Sequence, residues 1–201
     1  MDLIIVRHAR PDRQENEPHE GPADPPLSAL GRAQAMAVAA FLAAEHVDHI
    51  VASSMVRARQ TAEPLARLLD MDIELRDDLR EVDQHRNVYI PAEEMTPDDA
   101  MAKEFMADPL AIFDGDYWGF RERVVGGFDD VIAANAGKRA VVFCHGMVMS
   151  VYLQHVWGLS DPYRMQPDYT GIIRIQASSS KGYRTVRSVN ETAHIRDIRV
   201  A

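Results

Sequence analysis

Cysteine is nearly absent: Cys144 is the only one in 201 residues. One thiol cannot close an intrachain disulfide, so the fold must rest on its core, and nothing indicates an oxidising compartment. Long apolar runs are missing as well. The first, Leu3–Val6, is far too short for a signal-peptide core, and no stretch approaches membrane-spanning length. An excess of positive charge is also lacking. Lys and Arg number 22 against 31 Asp and Glu, a net charge of −9. Such a chain is a poor binder of nucleic acid or anionic membranes. A cytoplasmic protein with neither partner is expected. An anionic small molecule is not excluded, because a local arginine cluster can hold a positive pocket within an acidic surface.

What is present suits one globular domain over residues 1–201, with 46% hydrophobic residues to fill a core. Leu3–Val6 has the short, continuous, β-branched character of a buried strand. Pro11 to Pro26 reads as a loop. Ser28 is a plausible N-cap for a helix whose apolar face is predicted at Leu30, Ala33, Ala37, Ala40, Phe41 and Ala44. Ile50–Ala52 is a second short apolar run. Ser53-Ser54 after it is a capping signal for a helix with Met55, Ala58, Ala62, Leu65, Ala66 and Leu69 on one face.

Residues 77–117 differ: acidic, broken by Pro91, Pro97 and Pro109, and carrying Met95, Met101 and Met106. They suggest a lid or cap insertion with short helices, one around Asp98–Met106. A long helix with Phe120, Val124, Phe128, Val131 and Ile132 follows, then the strand Ala140–Cys144 and a helix through Val148, Val151, Tyr152 and Val156. Gly171–Ala177 and Tyr183–Val189 read as a hairpin, whose edge leaves a homodimer open. Alternating strands and helices predict an α/β fold, a three-layer αβα sandwich with a mainly parallel central sheet.

Three strand-to-helix junctions carry polar groups. The first strand ends at Arg7-His8, the second at Ser53-Ser54 with Arg57 in the next turn, the third at His145-Gly146. Ligands of open α/β sheets bind outside the carboxyl ends of strands. If the three strands are neighbours, two arginines, two histidines and two helix N-termini meet there, a combination suited to phosphate. A neutral imidazole at His8 can attack phosphorus, and flanking cations favour its neutral form. The departing alkoxide then needs a proton, for which Glu81, where the insert begins, is the candidate.

In this order, "VRHARP", "LSALGRAQA", "SSMVRARQTA", "LRE", "CHGMVM" and "VNETAHI" resemble the histidine phosphatase superfamily, the phosphoglycerate mutase-like proteins, over nearly the whole chain. The resemblance implies a phosphate pocket of Arg7, Arg57, His8 and His145. His8 would be the phospho-accepting nucleophile, His145 a ligand of phosphate and transition state, and Glu81 the proton donor. Gln14 aligns with an asparagine of the family and, with Gly146, would bind substrate. Three positions depart from the pattern: Ala9 replaces the usual glycine, and Arg10-Pro11 replaces Glu-Thr or Glu-Ser.

The implied activity is that of a histidine acid-type phosphatase: metal-independent hydrolysis of a small-molecule phosphate monoester through phosphohistidine, with no cofactor. The long inserts and the Trp-Asn signature of true phosphoglycerate mutases are missing, which favours hydrolysis over mutase activity. A phosphomutase and a non-catalytic phosphate-binding or regulatory module are the alternatives. A metal site at His8, His145 and Glu81 is disfavoured, because there is no His-x-His or His-x-x-x-His pair and two arginines would repel a cation. Arg59 is a decoy for Arg57, and Cys144 is expected to be a buried thiol. His85, Arg86, Asn87 and Tyr89 are candidate substrate contacts from the insert, of which at least two should belong to a solvated loop. Asn190 and His194 match the family pattern and are read as structural.

Overall fold

The computed structural model describes residues 1–14, 21–91 and 94–198. The expected loop from Pro11 to Pro26 therefore lies partly outside the described residues, as do two positions of the expected insert.

The elements are β1 (Asp2–Arg7), α1 (Ala29–Ala43), β2 (His49–Ser53), α2 (Val56–Leu69), β3 (Ile73–Arg76), α3 (Ala100–Ala107), α4 (Tyr117–Ala134), β4 (Arg139–Cys144), α5 (Gly146–Trp157), β5 (Ile172–Ser178) and β6 (Tyr183–Glu191). They build one mixed sheet in the order β3-β2-β4-β1-β5-β6. The first four strands of that order run parallel, β5 is antiparallel to β1, and β6 returns antiparallel to β5.

Continuous apolar strands follow from burial on both faces, since successive side chains point to opposite sides. Leu3 and Ile5 join Val142 and Cys144 in a core with Val124, Phe128, Val131 and Tyr152 of α4 and α5. Ile4 and Val6 join Val141 and Phe143 against Val38, Leu42, Ala62 and Leu65 of α1 and α2. These are the three expected layers. Among the described residues no helix is long and apolar enough to cross a membrane.

Local expectations met three corrections. Ser28 does cap α1, its Oγ accepting from the Gly31 N–H at 3.0 Å, but the buried face is the other one: Gly31, Gln34, Ala35, Val38, Ala39 and Leu42. Ala33, Ala40, Phe41 and Ala44 are exposed. A helix with alanine on every side gives its apolar period little contrast, and here the polar Gln34 points inward because it has a partner. At α2 the cap is not a serine side chain. Met55 is the N-cap, and the Val56 N–H is satisfied by Asp24 Oδ2 from the preceding loop, at 2.9 Å. The edge strand β3 was not foreseen; with two of its four residues exposed it lacks the signature of the central strands.

Candidate active site

β4 lies between β1 and β2, so all three polar junctions fall side by side at one end of the sheet. The His8 N–H donates to the Cys144 carbonyl at 2.8 Å, extending the pairing just past β1. The ring is buried, 5.1 Å from that of His145 between centroids. Its Nδ1 lies 2.8 Å from the Ala9 carbonyl oxygen. A carbonyl only accepts, so Nδ1 carries the proton and Nε2 keeps the lone pair. Burial first, then the charges of Arg57 and Arg7, hold the pKa of His8 well below its ordinary value, against the opposing effect of the Ala9 bond.

His145 stands between β4 and α5, as the N-cap of α5, and is fully buried. Its Nε2 lies 2.8 Å from Ser53 Oγ, which in turn accepts weakly from the Met55 N–H at 3.4 Å. A hydroxyl offers one donor and two acceptor lone pairs, so this contact is compatible with a neutral His145 protonated on Nδ1, with Ser53 donating, or on Nε2, with Ser53 accepting. Burial, Arg57 and His8 keep this imidazole neutral too. Nδ1 is buried without a hydrogen-bond partner.

Arg57 is wholly buried and forks onto Asp83 with Nη2, at 2.7 and 3.0 Å. Burial works to lower its pKa, but Asp83 and other neighbours overcome that and raise it, so the charge is permanent. The Tyr89 ring lies 4.8 Å from its Cζ. Arg7 rests 4.1 Å from the Tyr169 ring and donates through Nη1 to the Pro167 carbonyl at 2.8 Å. Arg7 Nε and both Nε and Nη1 of Arg57 are buried without a hydrogen-bond partner. Arg57 Nη1 faces Asp24 Oδ1 in an ion pair at 3.7 Å, but buried donors are rarely left unpaired, so the other three in this locality call for an acceptor from outside the chain.

Glu81 is buried, its Oε1 accepting from the Val82 N–H and its Oε2 from the Met147 N–H, both at 2.9 Å. Burial, reinforced by the like charge of Asp83, raises its pKa despite these bonds and Arg57. Gly146 begins α5, and a Cβ there would meet Arg7 Nε at 3.5 Å and Glu81 Oε2 at 3.9 Å, ordinary contact distances that place both side chains against it. Gln14 exchanges two backbone hydrogen bonds with Tyr89, each 2.9 Å, which brings it beside the site. Arg59 is exposed and pairs with Glu63. Cys144 is buried, and burial with the nearby Glu81 pushes its thiol pKa well up, as befits a core residue. Among the described residues no group of three metal-ligating side chains is placed to hold an ion.

Ala9 is buried against Leu27 and Ala35 and has no left-handed backbone angle, so alanine fits where the resemblance expects glycine. Its N–H donates to Thr61 Oγ1 at 2.9 Å, and the next, that of Arg10, to Gln34 Oε1 at 3.0 Å. Arg10 pairs with Glu94, pointing away toward the 77–117 segment. Asn190 bonds Asp168 and His194 bonds Thr170, both ordering the loop before β5.

A cavity of about 370 Å³ adjoins Arg7, Glu81 and Gly146, roofed by residues of the 77–117 segment. Arg86 and Tyr89 line it, while His85 and Asn87 are exposed. A larger hollow of about 620 Å³ runs along Arg59, Asp70 and Ile73, away from both histidines, and contains none of the unpaired donors.

Sequence reasoning named Ser53 only as a cap and Asp83 only as a competing carboxylate; their partners identify them instead as supports of His145 and Arg57. Nothing local marks Tyr169, which reaches Arg7 from a loop more than 150 residues away.

The α/β sandwich with paired histidines and arginines at the ends of parallel strands is the architecture of the histidine phosphatases. The family model for the histidine phosphatase superfamily (branch 1) matches residues 3–192, and the chain belongs to that family. It is 24% identical over 205 residues to a probable phosphoglycerate mutase, GpmB, of Yersinia enterocolitica, covering 97% of this chain and 95% of that one. It is 29% identical over 163 residues to the uncharacterized phosphatase PhoE of Bacillus subtilis, covering 80% and 79%. Among solved structures it resembles the phosphoserine phosphatase of Entamoeba histolytica in complex with 3-phosphoglyceric acid, with TM-score 0.71, 20% identity and coverage of 96% and 98%. The mycobacterial glucosyl-3-phosphoglycerate phosphatase complexed with VO3 gives 0.72, 19%, 95% and 99%. At those identities the structural likeness is one of fold.

Proposed function

We propose that this protein is an acid-type, metal-independent phosphomonoesterase of the cytoplasm, formed as one domain with residues 77–117 as its lid, and that it works through phosphohistidine at His8. The supporting observation is the set of unpaired buried donors on Arg7, Arg57 and His145 around a histidine whose proton is held on Nδ1. In phosphoryl transfer, positioning and charge stabilisation supply most of the catalysis.

The steps follow from the atoms. The phosphoryl oxygens accept from Arg7 Nε, Arg57 Nε and His145 Nδ1. The lone pair of His8 Nε2 attacks phosphorus as the ester P–O bond breaks, and Glu81 gives its proton to the departing oxygen. Water then attacks phosphorus, giving a proton to the Glu81 carboxylate. The N–P bond breaks, and inorganic phosphate leaves. The pKa directions suit this division: His8 stays neutral and Glu81 stays protonated to higher pH than an ordinary carboxyl. The single buried cysteine supports the cytoplasmic setting.

The test is hydrolysis of p-nitrophenyl phosphate in excess chelator, with rapid quench to trap a base-stable, acid-labile phosphoprotein. His8→Ala should abolish both. Activity that vanishes with chelator, or survives in His8→Ala, would refute the mechanism. The similarity to a probable phosphoglycerate mutase favours mutase activity as the second reading. It would appear as phosphate exchange between glycerate positions without net release.

A further inference from the structure

Given the phosphatase function proposed above, on which this rests, we infer that the alcohol released is apolar. The substrate is the phosphate monoester of a hydrophobic alcohol or phenol, not of a glycerate, an amino acid or a sugar.

Glu81 stands where two spaces meet. With Arg7 it flanks Gly146, the residue after His145, and it also lines the cavity of about 370 Å³ beyond. The group that protonates a leaving oxygen marks where the leaving group lies, so the carbon skeleton of the alcohol extends into that cavity. Its walls are apolar: Ile90, Met95, Met101, Phe105 and Ile112 from the 77–117 segment, with Met147 and Met165 from α5 and the loop after it. Methionines adapt their shape to an apolar guest. The volume falls at the small end of the roughly 300–1,000 Å³ of small-molecule sites.

Most of the polar side chains of the lining are already engaged. Arg86 is held by Glu104 at 2.8 Å and Asp114 at 3.2 Å. Asp83 is held by Arg57. The Ser150 hydroxyl donates to the Met165 carbonyl at 2.6 Å, and the Tyr163 hydroxyl to that of Pro109. Gln166 sits exposed at the rim. With Arg7 on the phosphoryl group, no cation among the described lining residues is left for a carboxylate or a second phosphate. A carboxylate there would also face Glu81 and Asp83 and lose its water without compensation.

The experiment is a homologous series of n-alkyl phosphates, ethyl to octyl, run beside 3-phosphoglycerate, O-phosphoserine and glucose 6-phosphate. The leaving-group pKa hardly changes along the alkyl series, so chain length reports burial. The expected kcat/KM rises about fourfold per methylene until the cavity is full. It should exceed that of the three polar esters by roughly a hundredfold. Met101→Glu should flatten the series, bringing the octyl-to-ethyl ratio toward one. Calorimetric titration with n-alkylphosphonates, which cannot be hydrolysed, reads the cavity without the chemistry. Affinity graded with chain length supports the inference even if no ester turns over, an outcome that would sink the phosphatase function alone. A flat phosphonate series, or polar esters that outperform octyl phosphate, overturns the inference while leaving hydrolysis intact.

Discussion

The Ser53 hydroxyl lies 2.8 Å from Nε2 of His145, with both residues fully buried at the ends of adjacent strands. The proposed mechanism needs the His145 proton on Nδ1, facing phosphate, which makes Ser53 the donor to Nε2. Ser53→Ala removes the donor and frees the other tautomer, which would turn a lone pair toward phosphate. A fall in kcat of about tenfold or more is expected, from the loss of about one buried hydrogen bond in the transition state. Steady-state kinetics at saturating substrate would check it. An unchanged kcat would show that the His145 tautomer does not depend on Ser53.

The proposed roles of His8 and Glu81 define an acid-shifted pH profile. His8 must be neutral, and its lowered pKa in the free protein moves the acid limb of kcat/KM below the ordinary histidine value of 6.5. Glu81 must be protonated, and its raised pKa carries the alkaline limb above the ordinary 4.5. Activity therefore falls as pH drops through the His8 pKa and as it rises through the Glu81 pKa. A profile with its acid limb above pH 6.5 would contradict this assignment.

Asp83 acts on both neighbours. Asp83→Asn leaves the buried Arg57 charge with a weaker partner, and a loss of about 1–3 kcal/mol is expected in urea unfolding. It also removes the like charge beside Glu81, so the pKa of Glu81 falls and the alkaline limb of kcat/KM moves to lower pH. A purely structural role for Asp83 would lower stability and leave that limb in place.

Ala9→Gly tests the departure from the family pattern. The Ala9 backbone is ordinary, and its methyl is buried with Leu27 and Ala35. Replacing it should cost about 1 kcal/mol of stability through lost burial and greater chain entropy, with no gain in kcat. A rise in activity would show that the alanine restrains the nucleophile loop.

Gly31→Ala should be the more damaging exchange, although Gly31 lies in a helix where alanine is favoured. A Cβ there would fall 1.9 Å from the Arg10 carbonyl oxygen, a backbone atom that cannot swing aside. That carbonyl is itself fixed by the Ser28 N–H and hydroxyl, both at 3.0 Å. The loop carrying His8 must then shift, and both melting temperature and kcat should fall. Full activity with an unchanged melting temperature would show that the loop can move freely.

Much of the fold was legible because its central strands are buried on both faces. Leu3–Val6 and Ala140–Cys144 stand out as short β-branched runs, and the α4 face was read correctly because its large residues recur at helical spacing. The α1 face was misread because alanine occurs on every side of that helix. The half-exposed β3 was overlooked for a similar lack of contrast. At the site, Arg7, His8, Arg57, Glu81 and His145 were visible in motif order, and the structure brings them together.

By itself the sequence determined which groups stand at the ends of its buried strands, since apolar runs and capping residues are local features. It equally determined that no disulfide holds the fold. Only the tertiary structure decided that β4 lies between β1 and β2 and joins the two histidines. It alone paired Ser53 with His145, 92 positions away, and closed an apolar cavity over Glu81. The physical reason is that hydrophobic periodicity encodes which side of an element is buried, not what it is buried against. Strand order and distant side-chain pairs emerge only when the whole chain packs.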